Sequence, residues 1–332
     1  MSNFWQTLQT PTFALAPMED VTDTVFRELV MTLSDPTKLN LYFTEFTSID
    51  GLCHPVGFDK VSHRLFVNPS EKDKLKAING KLIAQIWGND PEKFIKVVKI
   101  IQDMGHFDGI DINMGCPDKS VVKHGSGSAL IENPSQVTDI IHAVREHCTL
   151  PLSIKTRIGV KQVITETWLS HLLSLPIDAL TVHGRTQKQM SDGLADWDEI
   201  GKAVTIRNQL NKTIPIFGNG DVLSVSDGID KCNKYNLSGI MVGRGIFHDP
   251  WMFGKTKESV TLSERLNVLL QHTNNYHHIF ENRKNFAQLK RFFKIYINSF
   301  DGASQLRDAL MHTNSHTEVN SIVESFIKSN AH

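Results

Sequence analysis

Three features predict an α/β chain, a (β/α)8 TIM barrel followed by a small C-terminal all-helical domain. Eight short apolar runs recur up to Gly245, helix-forming stretches separate most of them, and polar groups gather where the runs end. The runs are Thr12–Met18, Leu41–Phe46, Leu82–Gly88, Gly109–Cys116, Leu152–Gly159, Ala179–Thr186, Ile214–Gly220 and Gly239–Gly245. Most are near-continuous rather than alternating, the pattern of parallel strands covered on their outer side by helices.

The connecting helices follow in order. Thr22–Leu33 comes after the first run, with Thr22 as its expected cap. No long helix is visible between Phe46 and Lys81, so that crossover is expected to be irregular. Asp90 caps Pro91–Met104, with proline at the first helical position, and Asn133 before Pro134–His147 repeats the device. Asp196–Leu210 and Ser224–Tyr235 serve the later units. The alternation stops after Gly245, Gly254–Leu262 reads as a linker, and the pattern from Ser263 onward is helical. The expected division is a barrel over 1–254 and a helical domain over 255–332.

The length of 332 residues suits a full barrel with an appendage, and 40% hydrophobic with 21% charged residues is ordinary for a globular chain. No apolar run is long enough to span a bilayer, and Met1–Thr10 lacks the basic start and apolar core of a secretion signal, so a cytoplasmic protein is expected. Cys53, Cys116, Cys148 and Cys232 form no CxxC pair and no zinc-spaced cluster, so neither a disulfide framework nor a metal site is expected. The formal net charge of −1 speaks against nucleic acid unless basic charge is local. No spare apolar helix demands a partner, and a monomer is expected.

Barrel active sites sit at the C-terminal ends of the strands. There the sequence places Pro17 and Met18, Glu45, Gln85, Asn113 with Cys116, Lys155 with Arg157, His183 with Arg185, Asn219 to Asp221, and Gly243 with Arg244. A single strand-end Lys or His is usually a satisfied structural residue; such groups at all eight ends point to a site. The last two runs close in Gly218-Asn219-Gly220-Asp221 and Gly243-Arg244-Gly245. Glycine turns after strands seven and eight, one with arginine, predict a phosphate site. Gly125-Ser126-Gly127-Ser128 is no dinucleotide fingerprint, because it lacks the third glycine and the βαβ setting. A phosphate with Gln85, Lys155 and His183 around the mouth would suit FMN: Gln for the polar ring edge, Lys155 for the charge of the reduced flavin. Cys116 lies just past a strand in Asn113-Met114-Gly115-Cys116-Pro117, before a loop with Lys119, Lys123, His124, Gly125 and Gly127. An inert buried thiol, a proton donor and a thiolate nucleophile are all open readings of it.

Taken together, these motifs resemble the tRNA-dihydrouridine synthases. The resemblance runs from about Phe13 to Phe253. It is carried by Ala16-Pro17-Met18-Glu19-Asp20-Val21-Thr22-Asp23, Phe43-Thr44-Glu45, Gln85, Asn113-Met114-Gly115-Cys116-Pro117, Lys155-Thr156-Arg157, His183-Gly184-Arg185-Thr186, Gly218-Asn219-Gly220-Asp221 and Gly243-Arg244-Gly245. It implies FMN reduced by NADPH, hydride transfer from flavin N5 to C6 of a uracil ring, and a cysteine, matched here by Cys116, that protonates C5. The implied FMN contacts are Pro17, Met18, Glu19, Gln85, Lys155, His183, Asn219, Gly220, Asp221, Gly243 and Arg244. Asn113, Arg157 and Arg185 are the candidates for holding the uracil or nearby RNA. The base would have to leave its stack to react.

The C-terminal region resembles the family's helical RNA-binding domain more weakly. Read as one helix, Arg283–Ile297 places Arg283, Lys284, Lys290, Arg291 and Lys294 within a sector of roughly 120°, beside an aromatic face of Phe286, Phe292, Phe293 and Tyr296. Those cations, with Lys119 and Lys123, are the expected tRNA contacts. The competing expectations are an FMN barrel acting on a free enone or pyrimidine, which leaves the basic helix unexplained, and an RNA-binding barrel that has lost its chemistry.

Overall fold

Successive side chains of a strand point to opposite faces, so each barrel strand sends one set inward and the other toward the helices. The computed structural model describes residues 3–281 and 283–329. Its principal strands are β1 (Thr12–Leu15), β2 (Leu39–Phe43), β3 (Lys81–Trp87), β4 (Gly109–Met114), β5 (Leu152–Arg157), β6 (Ala179–His183), β7 (Ile216–Asn219) and β8 (Gly239–Val242). Each pairs in parallel with the next, and β8 pairs with β1, which closes the barrel. The two residues Thr47–Ser48 add a short pairing beside β3.

Inward-facing Ala14, Leu41, Phe43, Ile83, Ala179, Phe217 and Met241 form one apolar cluster with Phe4 and Trp5. Phe4–Gln6 is a single 3-10 turn capped by Asn3, and the Trp5 ring meets the Phe217 edge at 5.6 Å between centroids. This aromatic pair plugs the barrel beneath the strands. Outward-facing Leu82, Ile86, Ile110, Ile112, Leu152, Ile154, Leu180 and Val182 belong to the main core with the helix stripes, among them Phe94, Val97, Val98 and Ile101 of Pro91–Met104. Above the apolar layer the inward series turns polar, giving Gln85, Asp111, Asn113, Ser153, Lys155, His183 and Asn219. The same alternation thus supplies both the plug and the site.

The helices differ from expectation in three places. The first is Thr24–Leu33, capped by Asp23, which accepts from the Val25 and Phe26 amides. Thr22 is unavailable as a cap because its hydroxyl bridges the Met18 amide (2.9 Å) and carbonyl (3.1 Å). The crossover after β2 is helical rather than irregular, but in pieces too short to show a period: Ile49–Cys53, Pro55–Val61, Ser62–Leu65 and Pro69–Ala77. Thr165–Ser174, between β5 and β6, buries the stripe Trp168, Leu169, Leu172 and Leu173, an unforeseen helix whose spacing was legible.

Beyond Gly254 the chain is helical: Leu262–Phe280 with a Thr261/Glu264 capping box, then Ala303–Met311 and His316–Ser329. Phe26 packs between Phe247 (6.1 Å), His272 (5.8 Å) and Phe292 (5.0 Å), so the C-terminal helices share a core with the barrel. Arg283–Ile297 is not one helix. Glu281 turns left-handed (φ 42°) at the end of Leu262–Phe280, a 3-10 segment runs Phe286–Phe292, and one α-turn covers Phe293–Tyr296. The aromatic side is still buried at Phe292, Phe293 and Tyr296, but the cations do not share one helical face. Among the described residues no helix is long and apolar enough to cross a membrane.

Candidate active site

A cavity of about 660 Å³ opens above the polar layer, at the C-terminal ends of the strands. It is lined by Pro17, Met18, Gln85, Asn113, Cys116, Lys155, Arg157, His183, Arg185, Asn219, Gly220, Asp221, Gly243 and Arg244. Every strand-end candidate for cofactor or substrate is thus brought together except Glu19. The Glu19 carboxylate turns outward to Arg64 (3.0 Å) and does not line the cavity. Four lining stretches were not site candidates in the sequence reading: Phe46, Ser191 with Gly193 and Leu194, Val222 with Leu223, and His248.

The polar floor is a chain of hydrogen bonds. Ser153 Oγ donates to Asp111 Oδ1 (2.6 Å), Gln85 Nε2 donates to Asp111 Oδ2 (2.7 Å), and Asn113 Nδ2 donates to Gln85 Oε1 (3.0 Å). Asp111 is fully enclosed, and burial pushes its pKa up to about 6. It fixes the orientation of Gln85 from below. The signal for it was an acid in the middle of the apolar run Gly109–Cys116.

Asn113 does not reach outward; it builds the thiol loop. Its Oδ1 accepts from the amides of Gly115 (3.0 Å) and Cys116 (2.8 Å). On the other side, the Cys116 carbonyl accepts from Ser128 N (3.0 Å) and Ser128 Oγ (2.8 Å). Gly127 is required there: its φ is +60°, and a Cβ would lie 2.8 Å from the Cys116 oxygen. The thiol is therefore held through both peptide groups. Burial raises its pKa above the ordinary thiol value, so it is protonated at neutral pH.

Positive charge dominates the walls. Arg157 donates Nε to Gly115 O (2.7 Å) and Nη1 to Thr186 O (3.0 Å) and Met190 O (2.9 Å), and burial lowers its pKa to about 10. Arg185 donates Nη2 to both Asp221 oxygens (2.8 and 2.7 Å) and to Gly193 O (2.6 Å). Its Nη1 lies 3.2 Å from His183 Nε2. Burial, then the surrounding Lys155, Arg157, Arg185 and Arg244, hold His183 well below its usual pKa. Neutral His183 accepts from Arg185 at Nε2, which leaves the ring proton on Nδ1. Asp221 would be raised by burial, but Arg185 and the Ala195 amide hold it low. Both arginines proposed to grip substrate are thus largely engaged with the protein itself.

Lys155 is the exception. Its ammonium has no hydrogen-bond or ion-pair partner among the described residues, and burial, then Arg157, lowers its pKa to about 8. The amides of Gly220, Asp221 and Arg244 likewise donate to no protein acceptor among the described residues, and Arg244 is 61% exposed beside Asp221 (3.6 Å). The cavity therefore has an unneutralised cation at its floor and free donors at its β7–β8 end, which suits an anionic ligand.

A pH signature follows for the ligand-free protein. A lysine depressed to about 8 when folded, against roughly 10.4 when unfolded, destabilises the fold while charged in both states. That penalty is full below pH 8 and lifts as pH rises toward the unfolded value. Urea titrations of wild type and Lys155→Met will show wild type gaining on the variant between about pH 8 and 10.4. A difference that is flat across this window would remove the claim of an unpaired ammonium at the cavity floor.

Of the proposed RNA contacts, Lys119, Lys123, Arg283, Arg291 and Lys294 are exposed and Lys290 is half-buried. Lys290 Nζ donates to Met311 O (2.8 Å) and Arg291 lies 3.6 Å from Asp20. Lys284 is not a surface cation. Its Nζ sits 3.0 Å from Asp23 and 3.1 Å from Glu45, with all three side chains at most 3% exposed. Glu45 in turn accepts from the Asp20 amide (2.7 Å). Lys284 is a strut between the C-terminal segment and the loops beside Met18.

Comparison with known proteins bears on this arrangement. The family described as Dihydrouridine synthase (Dus) matches residues 14–332. A "Probable tRNA-dihydrouridine synthase" of Staphylococcus epidermidis is 40% identical over 98% of this chain and 96% of its own length. "Probable tRNA-dihydrouridine synthase 2" of Bacillus subtilis is 38% identical over 98% of this chain and 96% of its own. Among solved structures, histamine dehydrogenase from Rhizobium sp. 4-9 superimposes with a TM-score of 0.53 at 12% identity, over 79% of this chain and 48% of that one, a likeness of fold alone.

Proposed function

The chain belongs to the dihydrouridine synthase family, and from that premise we propose that it reduces uridine in transfer RNA to 5,6-dihydrouridine with FMN as carrier and NADPH as reductant. The observation that carries the reading is a half-buried thiol clamped through both its peptide groups at the wall of a cation-lined cavity.

The residues present fit FMN. Arg244 and the unpaired amides of Gly220 and Asp221 would take the phosphate. Lys155 would meet the anionic edge of the ring system, gaining the partner it lacks in the protein, and Gln85, locked by Asp111, would offer its remaining N–H to a ring acceptor. Bound there and reduced, FMN supplies a hydride for C6 of the uracil.

The chain's own groups do the rest. Cys116 holds a proton at Sγ and donates it to C5, so that the double bond gains one hydride and one proton. The thiolate left behind regains its proton from solvent. Burial favours the protonated thiol beforehand and makes it a poor nucleophile, which supports the acid role over the nucleophilic one. Arg157 and the Asn113 carbonyl oxygen hold the Cys116 loop at fixed height. His183, kept neutral, adds no further charge beside Lys155. The target base leaves its stack to enter the cavity, and the exposed cations Lys119, Lys123, Arg283 and Lys294 are the proposed phosphate contacts around it.

The test is spectroscopic. Purified protein will show a flavin absorption band that bleaches with NADPH under anaerobic conditions and returns on addition of unmodified tRNA but not of free uridine. Return with a free pyrimidine or enone alone would replace the RNA reading with that of a small-molecule reductase. A colourless protein that FMN does not reconstitute would remove the flavin.

A further inference from the structure

The loop between β6 and the following helix has a feature the proposed chemistry does not use. Leu194 is 83% exposed at the cavity mouth and Met190 is 49% exposed nearby. An exposed apolar tip is ordinarily free to move, yet this one is fastened from beneath by two buried arginines. Arg157 binds the carbonyls of Thr186 and Met190, and Arg185 binds those of Asp192 (3.3 Å) and Gly193. The Gln187 and Lys188 amides donate to Gly159 O (2.9 Å) and Val160 O (3.0 Å), and the Ala195 amide to Asp221 Oδ2 (2.7 Å). Met190 itself sits at φ +48°, a conformation a side-chain-bearing residue holds only when its surroundings impose it.

We propose that Met190 and Leu194 form a rigid apolar wedge that packs against the bases flanking the extruded uridine, filling the gap in the stack. The proposal rests on the tRNA reading above and deepens it. RNA is the occupant the surface fits: the tip is continuous with the cavity that would receive the base, and it is flanked by the exposed Lys188 and Arg244, suited to the adjoining phosphates. Side chains of this type, leucine and methionine among them, are the ones that nucleic-acid-deforming proteins insert between bases. A wedge works only if it does not yield, and the arginine pins provide that.

The experiment compares Met190→Ser/Leu194→Ser with Met190→Leu/Leu194→Met. The readouts are dihydrouridine formation on an unmodified tRNA transcript, the anisotropy Kd for that transcript, and sedimentation. The serine pair will lower kcat/KM for tRNA by about tenfold, in the range of a lost stacking contact, and weaken Kd in step. The apolar pair will restore both. Unchanged kcat/KM in the serine pair, or equal losses in both pairs, overturns the wedge. So does a shift of the serine pair from dimer to monomer with tRNA kinetics intact, which would make the tip a contact between two copies. If wild type forms no dihydrouridine on tRNA, the underlying reading fails first, and that failure is visible before any variant is compared.

Discussion

Replacing Lys284 by methionine will lower the unfolding free energy by roughly 3–5 kcal/mol at neutral pH, the range for removing one partner of a buried ion pair. The ammonium is the counter-ion of two buried carboxylates, Asp23 and Glu45. Burial already pushes Glu45 above its usual pKa with Lys284 in place, and those carboxylates, outweighing burial, raise Lys284 in turn. Without the lysine, the folded state must hold two adjacent negative charges out of water or protonate them. The folded pKa of Glu45 then lies still further above its unfolded value, so the penalty is full at neutral pH and shrinks as pH falls through the raised value. Urea denaturation should therefore show the variant's deficit narrowing in acid, and Lys284→Met/Glu45→Gln should recover part of it at pH 7. A loss under about 1 kcal/mol, the scale of an exposed pair, would mean that Lys284 reaches water and is available to RNA after all.

Cys116→Ala is expected to slow dihydrouridine formation by about 10²- to 10⁴-fold, the usual worth of a positioned general acid, and to leave flavin reduction by NADPH intact. The two half-reactions separate because the thiol loop is fixed by Asn113 and Ser128, not by the thiol itself. The wild-type oxidative half-reaction should stay level through the ordinary thiol range near ~8.5 and decline only at higher pH, since burial moves the thiol upward and the acid must be protonated to act. Stopped-flow traces of flavin reoxidation by tRNA across pH read both effects. An alanine variant that reoxidises at the wild-type rate would take the acid role away from Cys116.

The barrel and the composition of its mouth were legible because both follow from a local rule. A parallel strand that reads as apolar until its last residues announces a covered strand with a polar tip, and Gln85, Lys155, His183 and Asn219 all stand at such tips. Glu19 did not follow the rule because it lies beyond the strand, in the loop where Arg64 draws it outward. The crossover from Ile49 to Ala77 was misread because its helices are each under three turns long, too short for periodicity to show. The basic helix over Arg283–Ile297 was a larger error of the same kind, since a wheel drawn across 15 residues assumes one axis and the chain changes conformation within it. The fate of Lys284 was invisible in principle: its partners lie 261 and 239 positions away, and only the docking of the C-terminal segment brings them together. The division of labour between Asn113 and Arg157 was hidden for a related reason, as the Asn113 carbonyl oxygen and the Arg157 guanidinium engage backbone groups that no motif records.

The Phe4–Trp5 plug sets the traffic of the proposed reaction. With the barrel filled from below by aromatic rings, the cavity is reached from the strand-end side. On the function proposed above, the nicotinamide and the uridine would both enter from that side, the first leaving before the second. Reductant and RNA would then be rivals for one doorway, each slowing the other when in excess.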